Sequence, residues 1–128
     1  MCLICNEDPT SHSFMYIGQT PEGSNIFYTC PANATKYWDT DGILDHYNEV
    51  LDGNGGKPWV WLFDGQEFGF VHSTQISTAI GLIHILVKHN HCLTKIQIVN
   101  PTMYIHTLYA FLLPFLSSEL IEKIEWVM

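Results

Sequence analysis

Short apolar runs and stretches of helical periodicity alternate along the second half of the chain. Residues 59–63 are apolar at every position, as expected for a strand covered on both faces, and residues 96–99 predict the next strand. Between them, apolar residues fall almost all round a helix at 76–87, which predicts that this helix is largely buried. The pattern indicates a strand–helix–strand unit with parallel strands.

Further strands and helices are predicted on both sides of this unit along the chain. Residues 14–18 and 25–30 are aromatic and β-branched runs joined by a turn-rich connector, and they predict an antiparallel hairpin. An amphipathic surface helix is predicted after a cap at 39–41, with Gly53 as its C-cap. A further helix at 104–113 must stop at Pro114, Ser117 is placed to cap a short turn, and Ile124–Val127 supplies a last strand.

These elements predict an α/β fold. We expect a mixed sheet of about five strands with parallel central strands, in one domain that occupies residues 1–128. A chain of this length buries about two-thirds of the surface that it exposes when unfolded. One hydrophobic core is therefore sufficient.

Composition favours a folded chain and narrows the classes of partner. Hydrophobic residues make up 47% and charged residues 14%, which is unlike the composition of disordered segments. The net charge is −8, from thirteen acidic residues against five lysines, and arginine is absent. Nucleic acids, anionic membrane surfaces and phosphate headgroups all require clustered basic side chains. We therefore expect no nucleic acid partner and no multiply charged headgroup.

The cysteines and the apolar runs bear on cellular location. No apolar run approaches the roughly 20 residues that span a bilayer. The first residues lack the basic segment of a signal peptide. Four cysteines without a secretory context are expected to be reduced thiols. The sequence thus predicts a cytoplasmic protein with no transmembrane segment.

Two local motifs resemble metal-binding or phosphate-binding sequences. Cys2 and Cys5 form a CxxC pair that zinc could share with His12, Cys30 or residues 89–92, but no second pair stands at matching spacing. The Gly-rich segment 53–57 precedes a strand instead of linking a strand to a helix, so it does not fit a phosphate loop. We expect no metal and no cofactor.

Asp64 and its neighbours are the candidates for catalysis. Asp64, Glu67, His72 and Ser73 follow the carboxyl end of a predicted central strand, where open α/β sheets place their ligand sites. The chain has no nucleophile on a G-x-S-x-G turn. We predict that Asp64 closes the strand by accepting backbone hydrogen bonds, and that the protein is not an enzyme.

The order of three segments resembles the CRAL-TRIO lipid-binding family. The segments are KPWVWLFD (57–64), LTKIQIVNPT (93–102) and PFLSSELIEKIEW (114–126), and they stand around two apolar helical segments. The resemblance covers residues 14–128, and the Val-Asn-Pro-Thr form is most similar to a divergent branch that includes protein-binding domains. It implies a sheet that floors a hydrophobic chamber and a mobile helix, residues 104–113, that closes it. The chain would be a minimal version, without the family's usual segments before and after.

The resemblance also implies where a ligand would lie. In this family, the positions three and five residues before the strand-ending Asp face the ligand, and here these are Trp61 and Trp59. The helix at 104–113 carries more apolar side chains than one buried face requires, although core packing alone could account for them. We expect one contiguous apolar surface formed by Trp59, Trp61, Tyr104, Leu108, Phe111 and Leu112.

Two functions from different classes follow from this surface. The first is non-catalytic binding of a neutral or zwitterionic hydrophobic ligand, such as a lipid, between the sheet and the helix. The second is protein–protein interaction, in which the same helix docks on a protein partner or a second copy and no lipid is carried. A cavity of about 300–1,000 Å³ favours the first. A chamber filled by Trp59 and Trp61 favours the second.

Overall fold

Five strands form one sheet in the order in which they occur along the chain. The computed structural model describes residues 11–127, and its strands are β1 (Met15–Gln19), β2 (Asn25–Thr29), β3 (Trp59–Asp64), β4 (Leu93–Val99) and β5 (Ile124–Val127). β1 is antiparallel to β2, and the other three pairs are parallel. The predicted α/β class, with a mixed five-stranded sheet and parallel central strands, is confirmed.

Helices connect the parallel strands. They are α1 (Thr40–Gly53) before β3, α2 (Phe70–Ser73) and α3 (Ile76–Lys88) before β4, and α4 (Met103–Leu112) and α5 (Ser118–Lys123) before β5. Short 3-10 turns occur at Pro31–Asn33, Asn90–Cys92 and Leu113–Phe115. None of the helices within residues 11–127 combines the length and the apolarity that crossing a bilayer requires.

One face of the sheet carries the hydrophobic core. Trp61 of β3 lies between Phe27 of β2 and Ile96 of β4 in the register of the sheet, and all three are buried. Connections between parallel strands are usually right-handed. When such strands lie side by side in chain order, right-handed connections place all the connecting helices on the same face of the sheet. Accordingly, Tyr47 of α1 contacts the Trp61 ring edge-on at 6.1 Å, and side chains of α3 and α4 share a cavity with Trp61.

This one-sided arrangement corrects the prediction for α3. Ile83, Ile85 and Leu86 are buried, but His84 is exposed and Val87 is 55% exposed. Its sequence predicted a largely buried helix, and α3 is buried on its inner side but not on its outer side. No second layer covers the outer side of α3 within the described part of the chain, so apolar periodicity overstated its burial.

The predicted helix ends are mostly in place. Asp39 caps α1 by accepting from the Gly42 amide at 3.2 Å, and Ser117 caps α5 by accepting from the Leu120 amide at 3.2 Å. α4 stops at Leu112, before Pro114, as predicted. The predicted C-cap was one residue early, because α1 includes Gly53.

Candidate functional site

An apolar cavity of about 140 Å³ lies between the sheet, α3 and α4. Trp61 and Ile98 contribute to its floor, Leu86 comes from α3, and Leu112 comes from α4. The sequence places these residues here because alternate strand positions face one side of a sheet, and residues three or four apart share one side of a helix. The cavity thus occupies the space between sheet and helix that was predicted to hold a ligand.

A second cavity of about 100 Å³ adjoins the first. The two have five lining residues in common, which are Phe63, Phe68, Ala79, Leu82 and Leu108. Because they share these side chains, they lie end to end along the same face of the sheet. We call the two cavities together the groove.

The two ends of the groove differ in polarity. Within residues 11–127, the larger cavity is lined by aliphatic and aromatic side chains alone. The smaller cavity also has polar lining residues, and we call this region the polar end: His12, Thr29, Tyr37, Tyr47, His72, Gln75 and Thr78. A groove that is apolar along most of its length, with polar groups at one end, matches the general form of small-molecule sites.

Three of the six predicted site residues line the groove, namely Trp61, Leu108 and Leu112. Trp59 does not, because it lies in the core with 1% of its surface exposed. Its ring meets Phe27 edge-on at 6.0 Å, and its Nε1 donates to the His89 carbonyl at 3.4 Å.

The other two predicted residues, Tyr104 and Phe111, lie on the outer side of α4. Tyr104 is 37% exposed and packs edge-on against Phe70, and Phe111 is 55% exposed beside Phe115. Successive residues of a helix are rotated by 100° about its axis. Because Ile105 lies on the inner side of α4, the adjacent Tyr104 cannot lie there too. The six predicted residues therefore do not form one contiguous surface.

The sequence reasoning missed several residues that line the groove. Leu82 and Leu86 come from α3, and Tyr109 and Trp126 close the apolar end. The signal for Trp126 was present, because Ile124–Val127 was predicted as a strand and Trp126 faces the same side as Ile124. Trp126 also stacks on the exposed His106 ring at 4.6 Å.

Hydrogen bonds hold Trp61 in the floor of the groove. Its Nε1 donates to Thr29 Oγ1 at 2.9 Å, and the Thr29 hydroxyl also pairs with the Tyr47 hydroxyl at 2.7 Å. Burial raises the pKa of Tyr47 above its ordinary value, so this phenol stays protonated. The floor is consequently preorganised.

Asp64 closes β3 as predicted. Its Oδ1 accepts from the Gln66 amide at 2.9 Å and from Asn100 Nδ2 at 3.1 Å, and its Oδ2 accepts from the Tyr28 hydroxyl at 2.6 Å. Burial opposes its ionisation, but these hydrogen bonds hold the pKa of Asp64 below its ordinary value. Both oxygens are engaged, so the carboxylate is a structural link between three segments.

His72 lies at the polar end of the groove. Its Nδ1 accepts from the Gly69 amide at 2.9 Å, and its ring centroid is 5.0 Å from that of Tyr37 and 5.4 Å from that of Phe68. Burial lowers the pKa of His72, so the neutral imidazole is favoured.

Metal ligands do not converge in the described part of the chain. Within residues 11–127, no group of three or more His, Cys, Asp or Glu side chains is arranged to hold an ion. Cys2 and Cys5, the CxxC pair, lie outside the described residues. Cys30 and Cys92 are free thiols, and burial raises the pKa of Cys30.

The chain matches no family model and no curated protein. The geometry of the groove is therefore the basis for assigning a function.

Proposed function

We propose that the protein binds, without catalysis, a neutral or zwitterionic hydrophobic ligand between the sheet and α4. The observation that carries this proposal is the groove, whose two cavities of about 100 and 140 Å³ adjoin beneath α4. An apolar cavity of about 150 Å³ in a protein core stays dry and admits a benzene-sized molecule. In its present shape, the groove suits a ring or a short acyl segment.

A whole lipid requires a wider groove, since drug-sized ligands occupy about 300–1,000 Å³. α4 is the element that can supply the extra width, because Ile105 is its one buried residue. Leu108 and Leu112, which cover the groove, are only partly buried. Segments with few buried contacts open at low free-energy cost. An outward movement of the second half of α4 enlarges the groove, as the resemblance to CRAL-TRIO domains implies.

The charge of the lining supports an uncharged or internally neutral ligand. Among residues 11–127, no Lys, Asp or Glu lines either cavity. A net charge transferred into such surroundings without a partner is strongly unfavourable. The non-catalytic part of the proposal is supported by Asp64, both of whose carboxylate oxygens accept hydrogen bonds within the fold, and by Cys30, whose raised pKa favours the unreactive thiol. The free thiols suit a reducing compartment, and we propose the cytoplasm.

The direct test is a substitution that fills the space where the two cavities meet. Ala79 lines both, and Ala79→Leu places three additional carbon atoms there. We expect the wild type to increase the fluorescence of the neutral dye 1-aminoanthracene, and the variant to bind it at least tenfold more weakly, roughly the effect of blocking an apolar contact. Ala110→Leu, on the exposed side of α4, is the matched control. A folded Ala79→Leu that binds as tightly as the wild type would contradict the proposal.

A second candidate function is supported by the outer side of α4. Met103 and Phe111 of α4 are more than half exposed, and so are the neighbouring Phe70 and Phe115. Clustered exposed apolar side chains are typical of protein interfaces. The alternative is therefore protein–protein interaction through this side of α4, with a second copy of the chain as partner.

Self-association distinguishes the alternative. Phe111→Asp places a charge on the exposed patch and should abolish a dimer seen by native mass spectrometry, while unfolding free energy changes by less than about 0.5 kcal/mol. Val87→Asp, at an equally exposed apolar position on α3, is the control. A wild type that stays monomeric up to the highest concentration tested rules out this alternative.

A further inference from the structure

Most polar side chains at the polar end are already hydrogen-bonded within the protein. His12 Nε2 lies 2.9 Å from Asp39 Oδ2, and the Thr78 hydroxyl pairs with that of Thr40 at 2.6 Å. The Thr29 and Tyr47 hydroxyls pair with each other, as described above. These groups set the polarity of the region but have little capacity left for a ligand.

His72 keeps a free donor. Its Nδ1 is occupied by the Gly69 amide, so Nδ1 must be unprotonated. A neutral imidazole that accepts at Nδ1 carries its proton on Nε2. The lowered pKa of His72 favours this neutral form. Nε2–H has no hydrogen-bond partner within residues 11–127.

Tyr37, whose ring contacts His72, carries a second unused donor. The Tyr37 and His72 rings meet edge-on with centroids 5.0 Å apart, and both residues line the smaller cavity. The Tyr37 hydroxyl also lacks a hydrogen-bond partner in the described part of the chain. The Gln75 amide nitrogen, in contrast, already donates to the Val71 carbonyl at 3.5 Å. Two residues with unused neutral donors therefore line the polar end of the groove.

We propose that the polar end recognises a neutral oxygen acceptor, such as a ketone, ester or alcohol oxygen, at the head of an otherwise apolar ligand, and that His72 Nε2–H donates to it. This inference rests on the proposed ligand-binding function and specifies the preferred ligand class. A carboxylate head is disfavoured, because losing its hydration costs more than neutral donors return. The same geometry makes His72 a specificity-determining residue.

The test compares two probes with two histidine variants. 2-Decanone has one neutral acceptor and butylbenzene has none, and both are measured by displacement of 1-aminoanthracene. His72→Asn keeps an acceptor near the Nδ1 position for the Gly69 amide but lacks Nε2. We expect it to weaken 2-decanone binding about three- to tenfold, the effect of one hydrogen bond, and to leave butylbenzene binding unchanged. His91→Asn, at an exposed histidine, is the control.

The other possible outcomes contradict either the inference alone or both the inference and the proposed function. If His72→Asn weakens both probes equally, His72 is a structural residue and the inference is wrong. If the preference for 2-decanone does not change, or if decanoate binds as tightly as 2-decanone at neutral pH, the inference is wrong while the proposed function stands. If the wild type binds neither probe nor the dye, the proposed function fails and the inference fails with it.

Discussion

At the scale of single residues, Asp64 accepts three hydrogen bonds from three different segments. Its carboxylate joins Tyr28 of β2, the turn after β3 and Asn100 after β4. Asn100 has a φ of +49°, a left-handed conformation that asparagine tolerates better than most residues. One ionised side chain thus fixes three strand ends at the edge where the polypeptide turns towards its helices.

Tyr28→Phe tests this link. It removes the hydroxyl that donates to Asp64 Oδ2 at 2.6 Å. Because hydrogen bonds to charged groups contribute about 1.5–3 kcal/mol, we expect a loss of that order in urea unfolding and a rise in the pKa of Asp64 measured by NMR. Tyr16→Phe, at an exposed tyrosine of β1, should change neither. An unaltered Asp64 titration in Tyr28→Phe would show that the phenol does not stabilise the carboxylate.

At the scale of elements, α4 is attached firmly at its first turn and loosely afterwards. Thr102 Oγ1 donates to the Phe68 carbonyl at 2.8 Å, and Ile105 packs onto Gly65 at the end of β3. A glycine is needed there, because a Cβ at position 65 would contact Ile105 Cδ1 and lie 2.8 Å from the Asn100 carbonyl oxygen. The close approach of these segments defines the fixed end of α4.

Gly65→Ala should therefore loosen the fixed end. The added methyl forces Ile105 and the backbone at Asn100 apart, and overpacking of this kind costs about 1–3 kcal/mol of unfolding free energy. Hydrogen exchange of α4 amides should accelerate more than that of α3 amides. Gly53→Ala, where a Cβ meets nothing within 4 Å, is the control and should be neutral or slightly stabilising. Equal stability of Gly65→Ala and the wild type would contradict this account.

The sequence predicted elements better than it predicted orientation within them. The predicted strand Ile124–Val127 agrees with β5 residue for residue, because alternation and β-branching are local properties. Residues 104–113 were apolar on nearly every side, so periodicity did not distinguish Leu108 and Leu112, which line the groove, from Tyr104 and Phe111, which do not. That distinction depends on where the sheet lies relative to the helix, which is a tertiary property.

The polar end was harder still to predict. It brings together residues from before β1, from the loop after β2 and from α2, including His12, Tyr37 and His72. His72 had one local signal, since it follows the carboxyl end of a central strand, where α/β sheets place ligand sites. His12 and Tyr37 had none, because their proximity arises only when the strands pair.

At the scale of the whole molecule, three histidines that are buried or half-buried make stability depend on pH. Burial is the main cause that lowers the pKa values of His46, His72 and His89 below 6.5. As pH falls through this range, the unfolded chain takes up protons that the folded protein resists, so stability is lost. We expect a lower urea midpoint at about pH 5.5 than at about pH 7.5, and a shallower dependence in His72→Asn. Identical midpoints at both pH values would contradict the burial of these rings.

The order of the strands has a consequence for biosynthesis. Each strand pairs only with strands that are next to it along the chain. During synthesis the N-terminal part of a domain emerges first, so every new strand finds its partner already formed and none must be inserted between two others. The sheet can therefore grow outward from the hairpin. Until β5 emerges, β4 is an unpaired edge, and a nascent chain at that stage is exposed to the pairing errors that open edges invite.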